Sequence, residues 1–381
     1  MERLALRSTL RAMTAGAVFA LAGFLGPALA FSQASADRAL PFPLRVPDGF
    51  RIETVSRQVD GARFLAVAPD GDVIVSEISR GQVVAVDPGA PSSAAPRVVA
   101  RGLSRPNGLA FRGNDLYIAT WSGIVVIPDY PSGIGSPRVL FSDMPRNGDH
   151  NARAMALASD GTIYVSSGSD CNICRESDPR LATILQYRAD GTGGRIYASG
   201  LRNASGLAMD ASGRLWAVVN QRDNLTPDHT NLPTEEVDLV QEAGDYGWPS
   251  CYPDGAVRRP NPEFAGASCE KVLPSTFSLP AHNAPLQAVF YQAAQFPARL
   301  RGALFVALHG SWNRNPPDGY KVVAVRFEDG RPVAAEDFVT GWLTTSYRVL
   351  GRPVGVAVAA DGSLYISDDT GYLFRVSYAG A

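Results

Sequence analysis

With 381 residues and a net charge of −2, the chain can form one large domain or two ordinary ones, and it lacks any Lys/Arg block that would suit nucleic acid. Its 37 glycines and 28 prolines are spread along its length, which implies many turns between short strands rather than a disordered tail.

The first element is a leader. Arg3, Arg7 and Arg11 precede the apolar stretch "AMTAGAVFALAGFL", and "GPALA" follows with small residues at Ala28 and Ala30. This is the three-part layout of a secretory signal peptide over residues 1–30, with cleavage after Ala30 or after Ala36. Its apolar core is short for a bilayer span, and no other run is long enough for one. Removing residues 1–30, with three arginines and one glutamate, takes the net charge from −2 to −4. The expectation is a periplasmic or secreted protein, with a linker over 31–44 and the folded body over 45–378.

From residue 64 onward one pattern recurs: a small or apolar lead, an alternating strand, an Asp-Gly-like turn, a second strand, then a third. It reads "FLAVAPDGDVIVSEISRGQVVAVDP", "PNGLAFRGNDLYIATWSGIVVIP" and "ARAMALASDGTIYVSSGS" with "ILQYRADG". It continues as "ASGLAMDASGRLWAVVN" with "EEVDLVQE", "LQAVFYQAAQFPARLRGALFVALHGSW" with "YKVVAVRF", and "PVGVAVAADGSLYISDDTGYLFRVSY". Gly71, Gly113, Gly161, Gly213, Gly302 and Gly362 mark the turns. Spacings near those of four-stranded propeller blades, and no long amphipathic helix, predict an all-β, six-bladed propeller. "FRIETVSRQ" is expected to join the last blade and close the ring. The long interval before Gly302 holds a Pro-, Trp- and Cys-rich stretch, about residues 223–285, read as an insertion on one face.

Four cysteines in an exported chain predict two disulfides. Local pairing of Cys171 with Cys174 and of Cys251 with Cys269 is preferred among the three connectivities. "CNIC" is followed by Arg175 rather than the histidine of a haem attachment site.

Polar residues recur just before the lead strands: Arg105, Pro106 and Asn107; Asp149, His150 and Asn151; Arg202 and Asn203; His282 and Asn283; Gly351 and Arg352. Equivalent positions in a ring converge. Turn chemistry accounts for Asn; Arg and His converging on one rim point to an anionic ligand and an acid–base group.

"GDHNARAMALASDGTIYVSSGSDCNIC", "YASGLRNASGLAMD", "GDYGWPSCYP", "LFVALHGSWNRNPPDGYKVVAVRF" and "GRPVGVAVAADGSLYISDD" together resemble the glucose/sorbosone dehydrogenase family, in particular its sorbosone-dehydrogenase-like branch. The resemblance implies a six-bladed propeller that oxidises an aldose, sorbosone or a related carbohydrate with pyrroloquinoline quinone. It implies His150 of "GDHN" as the general base and Arg202 as the cation beside the reduced quinone, both catalytic. Asp149, Arg202, Asn203, Gln221, His309, Arg314 and Arg352 would hold the cofactor, and the backbone carbonyls of Arg222 and Asp223 a calcium ion. A cytochrome or the membrane quinone chain would accept the electrons.

The sequence departs from that pattern in places. Ser169, followed by Asp170, stands where sugar-oxidising relatives carry the aspartate that orients the histidine, which leaves open what orients His150. Ala204 replaces the proline after Arg-Asn. A calcium-dependent propeller lactonase would need acidic side chains converging on a metal in the channel. A non-catalytic propeller binding a partner on its rim explains the fold but not the coincidence of "GDHN" with Arg202.

Overall fold

The Asp-Gly turns do the local work. Asp70 and Asp361 each accept a hydrogen bond from the backbone N–H two residues on, at 3.1 and 2.9 Å, and the glycine between takes a left-handed conformation, 95° at Gly71 and 85° at Gly362. Each such turn folds one strand back on the last.

This computed structural model describes residues 37–145 and 148–380. The expected leader, with its alternative cut sites, lies outside the described residues. Six four-stranded antiparallel sheets follow one another along the chain. The first blade is Ala62–Val67, Val73–Glu77, Gln82–Val86 and Arg97–Ala100; the second is Leu109–Arg112, Asp115–Thr120, Gly123–Ile127 and Arg138–Phe141. The third is Met155–Leu157, Ile163–Ser167, Thr183–Tyr187 and Arg195–Ser199; the fourth is Ala204–Met209, Leu215–Val219, Glu235–Leu239 and Phe277–Leu279. The fifth is Pro285–Phe290, Leu304–Leu308, Lys321–Glu328 and Arg331–Val339. The sixth takes Pro353–Val358, Leu364–Asp368 and Tyr372–Tyr378, and its fourth strand is Phe50–Ser56 from the other end of the chain. Phe50 pairs with Tyr378 and Ile52 with Val376, so the ring closes as the sequence predicts.

A single blade has two apolar faces and can bury them only against its neighbours. Six separate cores lie between successive blades. Ile74, Leu116 and Ile118 fill the first interface, and Ile124, Ile163 and Leu185 the second. Ile184, Leu207 and Val219 fill the third, Trp216, Leu304 and Val323 the fourth. Phe305, Val322 and Phe374 fill the fifth, and Leu65, Val75 and Tyr365 the sixth, which joins the last blade to the first. Each such fully buried side chain stabilises the ring by about 1.5–3 kcal/mol. Gln287 spans the channel itself. Its amide nitrogen donates to the Leu65 carbonyl at 2.7 Å, while its oxygen accepts from the Leu65 and Val356 N–H groups at 2.8 and 3.2 Å.

The stretch 223–285 is not a single inserted loop. It contains the third and fourth strands of the fourth blade, and the true excursion is residues 240–276, with a small hairpin of Cys251–Asp254 and Val257–Pro260. The short outer strand Phe277–Leu279 was hidden by its length. Arg258 ties the hairpin to the blade through a 2.6 Å ion pair with Glu236, both buried.

Both expected disulfides are present, Cys171–Cys174 and Cys251–Cys269, and none of the four cysteines is free. Denatured, unreduced protein should therefore titrate no thiol. Opening Cys251–Cys269, which are 18 residues apart, should cost about 3 kcal/mol in a denaturation curve. Two or more free thiols would overturn the pairing. Among the described residues no helix is long and apolar enough to cross a membrane.

Candidate active site

A cavity of about 300 Å³ opens where the inner strands begin. Five blades contribute to it: Arg63 and Phe64 from the first, Arg105 and Asn107 from the second, Asp149, His150, Asn151 and Ala152 from the third, Asn203 and Ser205 from the fourth, Leu286 from the fifth. Of the pre-strand residues expected to converge, Arg105, Asn107, Asp149, His150, Asn151 and Asn203 meet here, whereas Pro106, Arg202, His282, Asn283, Gly351 and Arg352 do not line this cavity.

His150 sits at the wall, half-buried. Its Nδ1 lies 3.1 Å from the Ser169 carbonyl and 2.8 Å from Ser169 Oγ. A carbonyl only accepts, and the Ser169 hydroxyl gives its own proton to the Cys171 carbonyl at 2.9 Å. Nδ1 must then carry the imidazole proton, which leaves Nε2 as an open base. The serine does the orienting that the missing aspartate would do. Burial first, and the Arg202 charge second, push the His150 pKa down to about 4, so the ring is neutral at ordinary pH. The approach is tight: a Cβ on Gly168 would lie 2.5 Å from both the His150 Cβ and its carbonyl oxygen. Gly168→Ala should therefore displace His150, lower turnover more than tenfold and reduce stability by about 1–3 kcal/mol. Unchanged turnover in the folded variant would show that the ring's position is not set there.

Arg202 is buried behind His150 and does not line the cavity. Nε donates to the Asn172 carbonyl at 3.0 Å, Nη2 to Asn172 Oδ1 at 3.1 Å, and Nη1 to the Gln221 and Asn220 carbonyls at 2.8 and 3.3 Å. One of its five N–H groups remains unassigned. Burial lowers its pKa to about 10, against the pull of Asp223 and Glu235, and it stays a cation.

The other expected contacts divide. Asp149 and Asn203 line the cavity, Asp149 exposed. His309 pairs with Asp369 at 2.9 Å, and burial, ahead of the Arg63 and Arg352 charges, holds its pKa down. Arg352 lies over the Tyr320 ring at 5.0 Å and donates to the Gly310 carbonyl at 3.2 Å. Arg314 turns to the Ala281 carbonyl at 2.9 Å and to Asp318 at 3.7 Å. Gln221 faces inward, its amide donating to buried Glu236. The expected cationic rim of Arg202, Arg314 and Arg352 is thus three separate settings, because each guanidinium finds carbonyl acceptors on a different loop distant from it in sequence. Arg63, which sequence reasoning missed, lines the cavity, and its Nε is buried with no partner among the described residues. It stands in "ARFLAV" where Asn107 stands in "PNGLAF", so register against the second repeat could have found it. Asn107 and Asn283 are buried, bonding the Arg153 carbonyl at 3.0 Å and Asp318 at 3.1 Å, on loops 46 and 35 residues away.

The expected calcium ligands do not fit a divalent cation. The Asp223 carbonyl already accepts from Asn172 Nδ2 at 3.1 Å and from Arg222 Nε at 3.4 Å. The Arg222 side chain, as distinct from its expected ligand carbonyl, is buried against Asn261 and Glu263, at 3.1 and 2.5 Å. His282 faces the Asp223 carboxylate at 3.4 Å and the His229 carbonyl at 2.6 Å, two acceptors that hold its pKa above the usual imidazole value despite its burial. Arg202 and Arg222 put positive charge beside the Gln221 and Asp223 carbonyls. Among the described residues no group of three or more His, Cys, Asp or Glu could hold a metal. No step is derived through calcium.

A neutral histidine with an open nitrogen, facing a cavity lined by an arginine whose Nε has no partner among the described residues, can take a proton from a hydroxyl beside a bound anion. Comparison with known proteins bears on the family of the chain. The chain is 28% identical over 278 residues to a pyrroloquinoline quinone-dependent pyranose dehydrogenase of Coprinopsis cinerea; the match covers 58% of this chain and 36% of that one, so the chain spans about a third of that relative's length. The holo form of the pyranose dehydrogenase PQQ domain from the same fungus superposes with a TM-score of 0.75 at 25% identity, covering 89% of this chain and 98% of that domain. An iodide structure of a Trichoderma reesei Carbohydrate-Active Enzymes Family AA12 protein shares the fold, with a TM-score of 0.76 at 23% identity over 89% of this chain and 99% of that one. The expected kinship with quinone-dependent sugar dehydrogenases is borne out, and since the TrAA12-like match runs over residues 44–379, the whole ring rather than one motif, the chain belongs to the TrAA12-like family.

Proposed function

We propose that the protein is an exported oxidoreductase that oxidises a carbohydrate, an aldose or sorbosone or a related pyranose, with pyrroloquinoline quinone. The observation that carries this is the fixed tautomer of His150 beside an unpartnered buried Arg63 nitrogen. The residues fit the cofactor. It bears three carboxylates, and Arg63 and Arg105 line the cavity. Asn203 and Ser205 add neutral polar groups. When bound, the quinone supplies the two-electron acceptor for a hydride leaving the sugar carbon.

His150 Nε2 takes the hydroxyl proton from that carbon, and the Nδ1 bonds to Ser169 keep the ring aimed while it does. Arg202, at the back of the ring, holds a fixed positive field over the site without spending its hydrogen bonds on the ligand. Neutral His150 is available above a pH of about 4. The leaving electrons pass to a cytochrome or to the membrane quinone chain.

The lactonase alternative needs acidic side chains converging on a metal, and among the described residues Asp149 is the one carboxylate in the cavity wall. The test is direct. Cofactor-free protein is given pyrroloquinoline quinone, and sugar-dependent dye reduction is measured across aldoses and sorbosone. Quinone-dependent turnover is expected with at least one. Calorimetry showing no quinone binding would overturn the reading.

A further inference from the structure

The loop after the second strand of the third blade, "SDCNIC", contacts His150, Arg202 and Asp223. Ser169 donates its hydroxyl to the Cys171 carbonyl and accepts the His150 Nδ1–H, and its own N–H donates to the Arg202 carbonyl at 2.7 Å. One residue further into the disulfide, Asn172 uses all of its side-chain acceptor and one donor. Its Oδ1 receives Arg202 Nη2 at 3.1 Å and the Asp223 N–H at 2.8 Å, and its Nδ2 donates to the Asp223 carbonyl at 3.1 Å. Its backbone carbonyl takes Arg202 Nε at 3.0 Å. Two of the three Arg202 nitrogens thus end on one asparagine. That asparagine lies inside a ring closed by a bond between residues only three apart. The ends of the loop are tied as well. The Asp170 N–H meets the Glu176 carboxylate at 3.2 Å, and Arg175 lies over the Phe264 ring at 4.9 Å, in the excursion of the fourth blade.

We infer that Asn172, held by the Cys171–Cys174 disulfide, is a positioning residue that sets Arg202 and Asp223 relative to His150, so that the disulfide loop and not the blades alone fixes the distance between cation and base. The inference rests on the proposed role of His150 in sugar oxidation, but its geometry can be read without activity. An asparagine is required because only its amide offers an acceptor to Arg202 and a donor to a carbonyl in one plane. A leucine or alanine there would leave a buried guanidinium nitrogen and a peptide N–H without acceptors.

The test combines three chains. Asn172→Ala should move the midpoint of the His150 titration, followed by NMR in the cofactor-free protein, upward from its value near 4, because Arg202 is no longer held behind the ring. With quinone and sugar, kcat should fall about 10- to 100-fold, as expected for a displaced catalytic group, while the sugar KM changes little. In a double-mutant cycle, Asn172→Ala combined with Arg202→Met should be no slower than Arg202→Met alone, since both remove the same placement. Should Asn172→Ala fail to fold, Cys171→Ser with Cys174→Ser keeps Asn172 but opens its ring, and should raise the His150 midpoint in the same direction. An unmoved midpoint, or additive losses in the cycle, would overturn the positioning role. A moved midpoint in a protein that oxidises no sugar would leave the positioning standing and sink the functional reading instead.

Discussion

His150→Ala is expected to lower turnover by about two to four orders of magnitude, the range for losing a positioned general base, while quinone affinity stays within severalfold. The base has no stand-in. Asp149 lines the same cavity but is exposed, and the Ser169 hydroxyl is taken up by the Cys171 carbonyl. The cations stay where they are, since Arg63, Arg105 and Arg202 take none of their bonds from the imidazole. The variant should also change how stability depends on pH. In the folded protein His150 takes up its proton only near 4, whereas the unfolded ring does so near 6.5. Between those values the unfolded state binds more protons, so this group's contribution to stability falls as pH drops from 6.5 towards 4 and is unchanged above 6.5. His150→Ala removes that slope. Turnover, quinone calorimetry and melting temperature at pH 7 and pH 5 on one preparation decide the matter. Near-normal turnover in folded, quinone-loaded His150→Ala would show that the histidine serves only its turn.

Arg202→Met is expected to act twice. Methionine fills much of the space but strands the carbonyls of Asn172 and Gln221, which lose donors at 3.0 and 2.8 Å. Buried acceptors left unpaired cost about 1–3 kcal/mol each, so stability should drop by roughly 2–6 kcal/mol. Removing the cation also removes a force that holds His150 neutral, and its titration midpoint should move up from about 4. Quinone binding should weaken with it, because the site loses its fixed charge. A melting curve, an NMR titration and calorimetry separate the effects. An unchanged His150 midpoint would mean that burial alone sets the ring's basicity.

Much of the architecture was legible because it is local. Asp-Gly turns, alternating strands and a sixfold recurrence are written in short windows, and each is enforced by hydrogen bonds within two residues, as at Asp361 with Ser363. The paired cysteines lay close enough in sequence to close the two short loops that formed. His150, Asp149 and Asn203 meet at one cavity because a ring brings equivalent positions together. The outer strands were less visible. Arg97–Ala100 and Arg138–Phe141 are four residues long and partly exposed, so they carry little apolar alternation.

What the sequence by itself determined is the ring and the place of its histidine, since periodic burial leaves a repeated chain one way to cover both faces of every blade. The tertiary structure alone decided the electrostatics of the site. Ser169 orients His150 because a turn carries its carbonyl and hydroxyl to the same nitrogen. Arg202 binds carbonyls from Asn172 and Gln221, 30 and 19 residues away, rather than reaching into the cavity. Arg63 and not Arg314 faces the cavity. Which acceptor a guanidinium reaches depends on the path of loops distant in sequence, and the energy of a buried charge depends on every group around it; neither is encoded in a window of neighbouring residues.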